Sequence, residues 1–356
     1  MATADQLIVY GGSVHHRFAV EVLRLVNIHR QTTLDFTDVD SSFFSDDEPD
    51  FAMLEYERIA GRHVIIFSCP IRPILELELR DMVMAAKHQY GAATVTVVMS
   101  FLRYRRQDRN DDAHHYQITR LRWFLKCLKD WGVDNLILCE PHSVRSTQKY
   151  ADEFGLKLFV ADPTPLFADA LRGPIQAAGG TDNFRMYAPD FGSVGRTLRL
   201  GKALGISILA SPKVRGTDGE VRAMADTTGF MQMVHEHFGV DAPIDCDLER
   251  ARDKTIIMRE DELDTASTAT TTVASLREHG ASKVWMVLTH PVCSNNWKRK
   301  LWPHNRPPVF SLLMFGNARP RGKGTQYQES TGRKVINVSL EPVVAGALLS
   351  ALDTLP

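Results

Sequence analysis

The chain has 356 residues, of which 44% are hydrophobic and 24% charged, and its formal net charge is -1. These values are typical of a globular protein long enough for two domains. A chain so close to neutrality has no overall field that favours nucleic acid or a membrane surface, and we expect neither as a partner. The five scattered cysteines lack CxxC spacing, which is typical of reduced thiols in a cytoplasmic protein. We expect no signal peptide and no membrane-spanning segment.

Apolar runs and helical patterns alternate along the first 154 residues. Strands are predicted at Leu7–Tyr10, His63–Ser68, Ala93–Met99 and Leu136–Leu138. Helices are predicted at Phe18–Val26, around Leu75–Ala86, and at Tyr116–Trp131, where Ile118, Leu121, Leu125 and Leu128 share one side. Strands that alternate with helices predict a mostly parallel sheet with right-handed crossovers.

The same alternation starts again in the second part of the chain. Further strands are predicted at Leu156–Val160, Phe184–Tyr187, Ile206–Leu209, Thr255–Met258 and Val284–Leu288. The pattern therefore predicts an α/β protein with two similar domains, residues 1–154 and 155–341, each a mostly parallel sheet flanked by helices. The final helix, Pro342–Leu352, could pack back on the first domain.

An acidic stretch follows the predicted strand Thr255–Met258. Four carboxylates crowd into what reads as one short turn, and hydroxyl residues and a helix up to Gly280 come next; the carboxylates are Glu260, Asp261, Glu262 and Asp264. Backbone N–H groups and hydroxyls at a helix start can face a phosphate, and carboxylates can bind ribose hydroxyls or hydrated magnesium. The stretch predicts a site for a phosphorylated sugar; a solvated acidic turn with a Thr cap is the plain alternative.

Other polar clusters also follow predicted strands, where an open parallel sheet binds its ligands. They are Phe101–Arg109, Glu140–His142, Ala188–Gly192 and Ser211–Gly216. Each has a plain alternative: the Arg-rich run could be a solvated face or a nucleic-acid patch, His142 could be structural, and Lys213 and Arg215 could be ordinary loop cations. Their joint occurrence at strand ends favours one shared site.

The order of these clusters resembles that of ribose-phosphate diphosphokinases (phosphoribosyl-diphosphate synthetases) over nearly the whole chain. Family motifs match at Phe44-Ser45-Asp46-Asp47-Glu48, Tyr104-Arg105-Arg106-Gln107-Asp108 (Tyr-Ala-Arg-Gln-Asp in the family), Glu140-Pro141-His142, Ala188-Pro189-Asp190-Phe191-Gly192-Ser193, Lys213-Val214-Arg215 and Thr289-His290. The resemblance implies two domains with a type I phosphoribosyltransferase-like fold.

The acidic stretch resembles the phosphoribosyl-diphosphate-binding loop of the same families. There, two acidic residues and two aliphatic residues precede Asp-Thr-Gly-Gly-Thr. Here the acidic pair is Glu260-Asp261, the spacer is Glu262-Leu263, and Asp264-Thr265-Ala266-Ser267-Thr268 closes the loop. Both glycines are replaced, and glycine is the residue that lets the backbone come close to a 5′-phosphate.

The resemblance implies magnesium-dependent transfer of the β,γ-diphosphate of ATP to the anomeric hydroxyl of ribose 5-phosphate, giving phosphoribosyl diphosphate and AMP. Lys213 and Arg215 would be catalytic, in a lid formed by residues 211–222, and His142 and Asp190 would bind the metal. The implied ATP contacts are Phe44, Asp46, Glu48, Arg106, Gln107 and Asp108. The implied ribose-phosphate contacts, within residues 260–268, are Asp261, Asp264, Thr265, Ala266, Ser267 and Thr268.

The resemblance also implies an assembly. Arg106 and a Phe44 from a neighbouring subunit would sandwich adenine, for which Arg–aromatic stacking gives a physical basis. Active sites at subunit interfaces require a homo-oligomer, built from dimers and up to a hexamer.

Two departures fall on the acceptor side of the motifs. The glycines of the loop are missing, and the chain is longer than expected at Met224–Arg252. They favour, as an alternative, the same chemistry on a larger ribose-phosphate ester such as ADP-ribose. A second alternative is a non-catalytic regulatory homologue, against which the intact Lys213, Arg215 and metal-binding residues argue.

Overall fold

The computed structural model describes residues 2–108, 118–215, 221–223, 227–238, 244–303, 307–320 and 334–356. The strands of its first part are β1 (Leu7–Gly11), β2 (Phe36–Thr37), β3 (Val39–Phe43), β4 (Pro49–Met53), β5 (His63–Ser68), β6 (Thr94–Met99), β7 (Asn135–Cys139) and β8 (Lys157–Ala161). Six of them form a parallel sheet in the order β2-β1-β5-β6-β7-β8, and β3 and β4 form a separate antiparallel hairpin.

The helices of this part are α1 (His16–Arg30), α2 (Pro73–Met84), α3 (Arg120–Trp131) and α4 (Val144–Phe154). Pro73 stands in the first turn of α2, where a missing N–H costs no hydrogen bond. The predicted start of α3 is wrong: Ile118 precedes the helix and is 63% exposed. Residues 116 and 117 lie outside the described part of the chain.

The second part contains β9 (Phe184–Ala188), β10 (Ile208–Ala210), β11 (Lys213–Arg215), β12 (Val221–Ala223), β13 (Ile244–Asp245), β14 (Thr255–Leu263), β15 (Lys283–Pro291), β16 (Leu312–Gly316) and β17 (Lys334–Val338). Its helices are α5 (Thr164–Ala177), α6 (Phe191–Leu204), α7 (Thr227–Phe238), α8 (Ser267–Glu278), α9 (Trp297–Leu301) and α10 (Glu341–Leu352). Seven strands form a parallel sheet in the order β13-β10-β9-β14-β15-β16-β17. The predicted α/β class with two mostly parallel sheets is confirmed.

One strand belongs to the first sheet, although the sequence pattern predicted it in the second. β8, predicted as the first strand of the second domain, pairs with β7 over its whole length and forms the edge of the first sheet. Apolar alternation predicts that a segment is a strand but not which neighbour it pairs with. The first sheet therefore ends at Ala161, and the predicted limit at residues 154 and 155 falls inside the unit that this sheet forms.

The largest apolar core lies between the two sheets and joins them. It includes Ile65 and Ile137 of the first sheet, Met186 and Ile257 of the second, and residues of α1, α5, α6, α7 and α10. Two further cores cover the outer faces, one under α2–α4 and one under α8 and α9. Helix α10 lies against α1, β7 and β8. This shared core fixes the position of the carboxyl ends of one sheet relative to those of the other.

None of the helices within the described ranges is both long and apolar enough to cross a membrane.

Candidate active site

Strand β14 positions most of the acidic stretch. The short acidic turn predicted after Met258 is wrong, because β14 runs on to Leu263 and pairs Glu260 with Leu288 and Glu262 with His290. Successive side chains of a strand point to opposite faces, so Arg259 and Asp261 share one face. Arg259 is fully buried and Asp261 is 3% exposed. Glu260 and Glu262 therefore lie on the opposite face of β14 from Asp261.

Asp261 is the buried centre of a polar cluster. One of its oxygens lies 2.7 Å from His142 Nδ1, and the other accepts a hydrogen bond of 3.1 Å from Arg196 Nη1. Arg196 Nη2 also donates to the His142 carbonyl, at 3.0 Å. Burial by itself would raise the pKa of Asp261, but the charge of Arg196 and the hydrogen bond from His142 hold this pKa well below its usual range. Asp261 is therefore ionised.

This cluster also sets the tautomer of His142. An ionised carboxylate only accepts hydrogen bonds, so His142 Nδ1 carries the proton and Nε2 is left as the nitrogen that can bind a metal. A metal-binding histidine commonly donates its other N–H to a carboxylate in this way. The contact between His142 and Asp261 therefore fits the metal-binding role predicted for His142.

Asp190 caps helix α6, where its Oδ1 accepts a hydrogen bond of 2.9 Å from the Ser193 backbone N–H. Burial and the nearby charge of Asp190 raise the pKa of Glu260 well above its usual value. Within the described ranges, no three His, Cys, Asp or Glu side chains are grouped to hold a metal ion. Magnesium commonly takes only one or two carboxylates from the protein and its other oxygens from phosphates and water. The donors at this site fit such an ion.

A buried ion pair joins the two sheets beside this cluster. Arg259 Nη2 donates to Glu140 Oε2 at 2.5 Å and lies 3.0 Å from Thr289 Oγ1, which also hydrogen-bonds Glu140. Glu140 is 2% exposed and has a φ of 35°, a left-handed value that few non-glycine residues adopt. The turn that carries His142 is therefore held against β14 and β15. Sequence reasoning did not assign a role to Glu140 or Arg259. The feature that could have indicated one is that each is a charged residue directly after an apolar run.

His290, the second residue of the Thr-His motif, is buried in the same interface. Its Nε2 lies 3.1 Å from the Cys139 carbonyl and 3.0 Å from the Glu140 carbonyl. Carbonyls only accept, so Nε2 carries the proton, and the buried Nδ1 has no hydrogen-bond partner among the described residues. Burial lowers the pKa of His290 from 6.5 to about 4, and that of His15 likewise to about 4.

The lowered pKa values of His290 and His15 predict that the folded protein loses stability in mild acid. Between pH 6.5 and pH 4 the unfolded chain binds more protons than the folded one at each of them, so their stabilising effect is full above pH 6.5 and falls as the pH falls. Each contributes a slope of up to about 1.4 kcal/mol per pH unit. We expect His290→Gln, whose amide can still donate, to reduce the slope measured by denaturant unfolding from pH 7 to pH 4.5. The exposed His29→Gln is the control, and equal slopes in all three proteins would contradict the prediction.

The predicted ATP loop and the predicted ribose-phosphate loop meet. Arg106, whose side chain is 60% exposed, lies with Nε 3.4 Å from Glu262 Oε1 and with Nη1 3.4 Å from Asp264 Oδ2. Gln107 is exposed next to it. Asp108 is only 6% exposed, and its carbonyl accepts a hydrogen bond of 3.0 Å from the Tyr150 hydroxyl. Arg106 and Gln107 are thus accessible to a ligand, whereas the Asp108 side chain is largely buried.

The three other predicted ATP contacts lie at the tip of the β3–β4 hairpin. Phe44 N–H donates to the Glu48 carbonyl at 2.9 Å, and Glu48 N–H donates to Asp46 Oδ1 at 3.3 Å. Phe44 is 56% exposed. Among the described residues, no hydrogen bond or ion pair joins this tip to Asp261 or Arg106.

Lys213 and Arg215 lie in β11, directly after the carboxyl end of β10. Lys213 is opposite Ala223 and Arg215 is opposite Val221 in the β11–β12 hairpin. Residues 216–220 of the predicted lid lie outside the described residues. The hairpin backbone thus begins at the same sheet edge as Asp190 and the acidic stretch.

The predicted phosphate loop leads into helix α8. Ala266, at the position of the first family glycine, has a φ of 64°, a left-handed value that suits glycine. Ser267 and Thr268, in the first turn of α8, are exposed, and Thr265 Oγ1 lies 3.2 Å from Ser267 Oγ. Lys300 Nζ of α9 donates to Ser267 Oγ at 2.5 Å. Sequence reasoning missed Lys300, although it ends a basic run, Lys298–Lys300.

The additional segment at 224–252 packs on the helix that carries Asp190 and Arg196. Phe230 of α7 is fully buried, and the Phe238 ring would lie 2.6 Å from a Cβ at Gly195, so glycine permits this close approach. Arg196, also missed by sequence reasoning, was detectable only as a charge in the interior of an otherwise apolar helix face. Residues 224–226 and 239–243 lie outside the described ranges.

Several known proteins are similar to this chain in sequence. Residues 7–132 match the family model for the N-terminal domain of ribose phosphate pyrophosphokinase. Ribose-phosphate pyrophosphokinase 1 of Lactococcus lactis is 24% identical over 304 residues, which are 84% of this chain and 81% of the relative. The Streptococcus pneumoniae serotype 4 protein of the same name is 31% identical over 242 residues, which are 67% of this chain and 66% of the relative.

A solved structure agrees with these matches. Phosphoribosylpyrophosphate synthetase from Mycobacterium smegmatis superposes with a TM-score of 0.74, covers 98% of this chain and 99% of that one, and is 19% identical, which shows a common fold. The sequence matches, together with the order of motifs along two parallel sheets, settle the family: the chain belongs to the ribose-phosphate pyrophosphokinases.

Proposed function

We propose that this protein transfers the β,γ-diphosphate of ATP to the anomeric hydroxyl of ribose 5-phosphate, with magnesium, and releases AMP. Its relatives carry the name ribose-phosphate pyrophosphokinase. The observation that supports it most is the approach of Arg106 to Asp264, which brings a nucleotide loop and a sugar-phosphate loop to one place. All five cysteines are free, which supports a cytoplasmic location.

The reaction forms one bond and breaks one bond. The anomeric oxygen of the sugar bonds to the β-phosphorus, the bond from that phosphorus to the α,β-bridging oxygen breaks, and AMP leaves with this oxygen. The hydroxyl proton passes to solvent. Such a transfer depends on positioning and on neutralising charge more than on covalent help from the protein.

On the acceptor side, Asp261 and Asp264 hold the ribose hydroxyls. Each carboxylate oxygen has two lone pairs, so Asp261 keeps accepting capacity beyond its bonds to His142 and Arg196. The backbone at Thr265–Thr268 and the hydroxyls of Ser267 and Thr268 bind the 5′-phosphate at the start of α8. Lys300 adds a positive charge beside Ser267.

On the nucleotide side, Arg106 stacks on adenine together with Phe44 from a second copy of the chain. Phe44 is exposed, and among the described residues no hydrogen bond or ion pair joins its hairpin tip to Arg106; both observations support a site shared between subunits and hence a homo-oligomer. Asp46, Glu48 and Gln107 complete the ATP side, whereas the largely buried Asp108 side chain is assigned no contact with ATP. Lys213 and Arg215 neutralise charge on the transferred group. His142 and Asp190 would hold magnesium, which would supply further charge neutralisation when bound.

One assay tests the proposal. Purified protein is incubated with ATP, with and without magnesium, and with ribose 5-phosphate or larger ribose-phosphate esters, and AMP release and product mass are measured. We expect AMP and phosphoribosyl diphosphate from ribose 5-phosphate only when magnesium is present. Transfer to a larger ester alone would replace the acceptor, and no AMP with any acceptor would favour a non-catalytic homologue.

A change in the phosphate loop reports on the acceptor. Glycine at Ala266 removes a left-handed non-glycine residue, a strain of about 1–2 kcal/mol, and glycine at Ser267 opens the backbone. If ribose 5-phosphate is the acceptor, we expect the Ala266→Gly/Ser267→Gly variant to keep or lower its KM. The kcat/KM ratio between ribose 5-phosphate and a larger ester is measured in each single variant, the double variant and Lys300→Ala. If this ratio is unchanged in all of them, the loop does not select the acceptor.

A further inference from the structure

Arg105 and Glu262 form an ion pair between the two predicted substrate loops. Arg105 lies in the loop after β6 of the first sheet, and its Nη2 contacts Glu262 Oε2 of β14 in the second sheet. The two side chains are only 12% and 9% exposed. Burial lowers the pKa of Arg105 to about 10, so the guanidinium remains charged at neutral pH. The pair is therefore a charged contact largely removed from water.

Aromatic packing fixes the Arg105 side of this pair. The guanidinium carbon lies 4.2 Å from the centroid of the Phe101 ring, and Phe101 in turn meets the ring of His290 edge-on at 5.3 Å. Arg319 lies 5.2 Å from the same Phe101 ring. Stacking on an aromatic face is a geometry that Arg adopts and Lys does not reproduce. Arg105 therefore has one well-defined position between the sheets.

Glu262 connects the buried Arg105 with the exposed side of the site. Its second oxygen, Oε1, lies 3.4 Å from Arg106 Nε, and Arg106 Nη1 reaches Asp264 Oδ2 at 3.4 Å. A continuous series of contacts thus runs from buried Arg105 through Glu262 to Arg106 and Asp264. Its last two members are the groups proposed to contact adenine and ribose.

Both members of the pair stand where this chain departs from the motifs that it otherwise follows. Arg105 occupies the alanine position of Tyr-Ala-Arg-Gln-Asp, and Glu262 occupies an aliphatic position before the phosphate loop. Without Glu262, the buried Arg105 guanidinium would lose its carboxylate partner, which is strongly unfavourable. Without Arg105, the largely buried Glu262 would keep only its contact with Arg106. Because the two unusual residues contact each other, each explains the presence of the other.

We propose that Arg105 is a positioning residue that acts through Glu262 to hold Arg106 and Asp264 at the separation that the two substrates require. This inference rests on the proposed function. Without Arg105, both oxygens of Glu262 are available to Arg106, which is drawn toward β14 and away from the place of the adenine ring. Without Glu262, Arg106 loses its fixed neighbour and Arg105 is left buried and unpaired.

The test is a double-mutant cycle with Arg105→Ala, Glu262→Leu and the double variant, which restores the usual residue types at both positions. Values of kcat and KM are measured for ATP and for ribose 5-phosphate, and the affinity for α,β-methylene-ATP is measured by calorimetry. We expect each single variant to weaken analogue binding and raise the KM for ATP about tenfold, and the double variant to lie within about threefold of wild type. Arg105→Lys should recover only part of the loss, because Lys does not stack on Phe101 in the same way.

A neighbouring ion pair is the matched control. Arg103, in the same loop, pairs with Glu76 of α2 at 3.1 Å, and among the described residues it forms no ion pair with the second sheet. We expect Arg103→Ala to change analogue affinity less than about threefold and to show no coupling to Glu262→Leu.

Each outcome decides the inference. Losses in the single variants that add in the double variant, or a changed unfolding free energy with unchanged analogue affinity, would show that the pair is only a structural contact. If wild type binds the analogue but releases no AMP with any acceptor, the proposed function fails, while the affinity cycle still decides the role of Arg105. If wild type does not bind the analogue, both are overturned.

Discussion

Alanine in place of Lys213 or Arg215 is expected to reduce kcat by roughly two to three orders of magnitude, about 3–4 kcal/mol, while the fold stays intact. Both residues lie in β11, at the sheet edge where β10 ends. Charge on the diphosphoryl group shifts during transfer, and a cation placed to meet that charge stabilises the transition state more than the bound ATP. The KM for ATP should therefore change less than kcat.

A control within the same hairpin separates charge from folding. Arg222 is opposite Val214 in the β11–β12 register and is not a member of the Lys-x-Arg motif. We expect Arg222→Ala to lower kcat much less than either motif variant. Steady-state kinetics and denaturant unfolding are measured on all three proteins. Near-wild-type turnover by both motif variants, with an acceptor that the wild type uses, would show that the assigned catalytic residues are wrong.

Removing one partner of the Arg259–Glu140 pair is expected to cost about 3–5 kcal/mol of unfolding free energy. The side chains are 0% and 3% exposed. Arg259→Met therefore leaves the buried Glu140 carboxylate with the Thr289 hydroxyl and a 3.8 Å contact from Arg199 Nη2, and Glu140→Leu leaves a buried guanidinium without its carboxylate. The double variant Arg259→Met/Glu140→Leu should recover most of the loss, because two apolar side chains of similar size need no partner. We also expect reduced activity in the single variants, since Glu140 precedes the turn that carries His142.

An exposed pair provides the comparison for this result. Arg122 and Glu153 form an ion pair with side chains 35% and 34% exposed, and such pairs contribute about 0–1 kcal/mol. Unfolding free energies from denaturant titration are compared for both pairs. Single Arg259 or Glu140 variants that lose no more stability than Arg122→Ala would show that the buried pair does not hold the sheets together.

Most strands were predictable because each is a continuous apolar run that has to be buried. The predicted limits of His63–Ser68 agree with β5, and those of Ala93–Met99 differ by one residue from β6. The positions of the polar clusters were also predictable, because the loops that follow parallel strands all lie at the edge formed by the carboxyl ends of those strands. The start of helix α8 was predictable from Thr265–Thr268. The length of β14 was not predictable, because charged residues can continue a strand when residues distant in sequence pair with them, as Arg196 does with Asp261.

The sequence by itself determined the α/β class, the family motifs and their order along the chain, because these depend on neighbouring residues and on local periodicity. Only the tertiary structure decided that β8 joins the first sheet, that Asp261 contacts both His142 and Arg196, and that Arg105 pairs with Glu262. The last contact joins residues 157 positions apart, and the contact between His142 and Asp261 joins residues 119 positions apart. Such contacts depend on how the two sheets share one core, and no local pattern of residues encodes that arrangement.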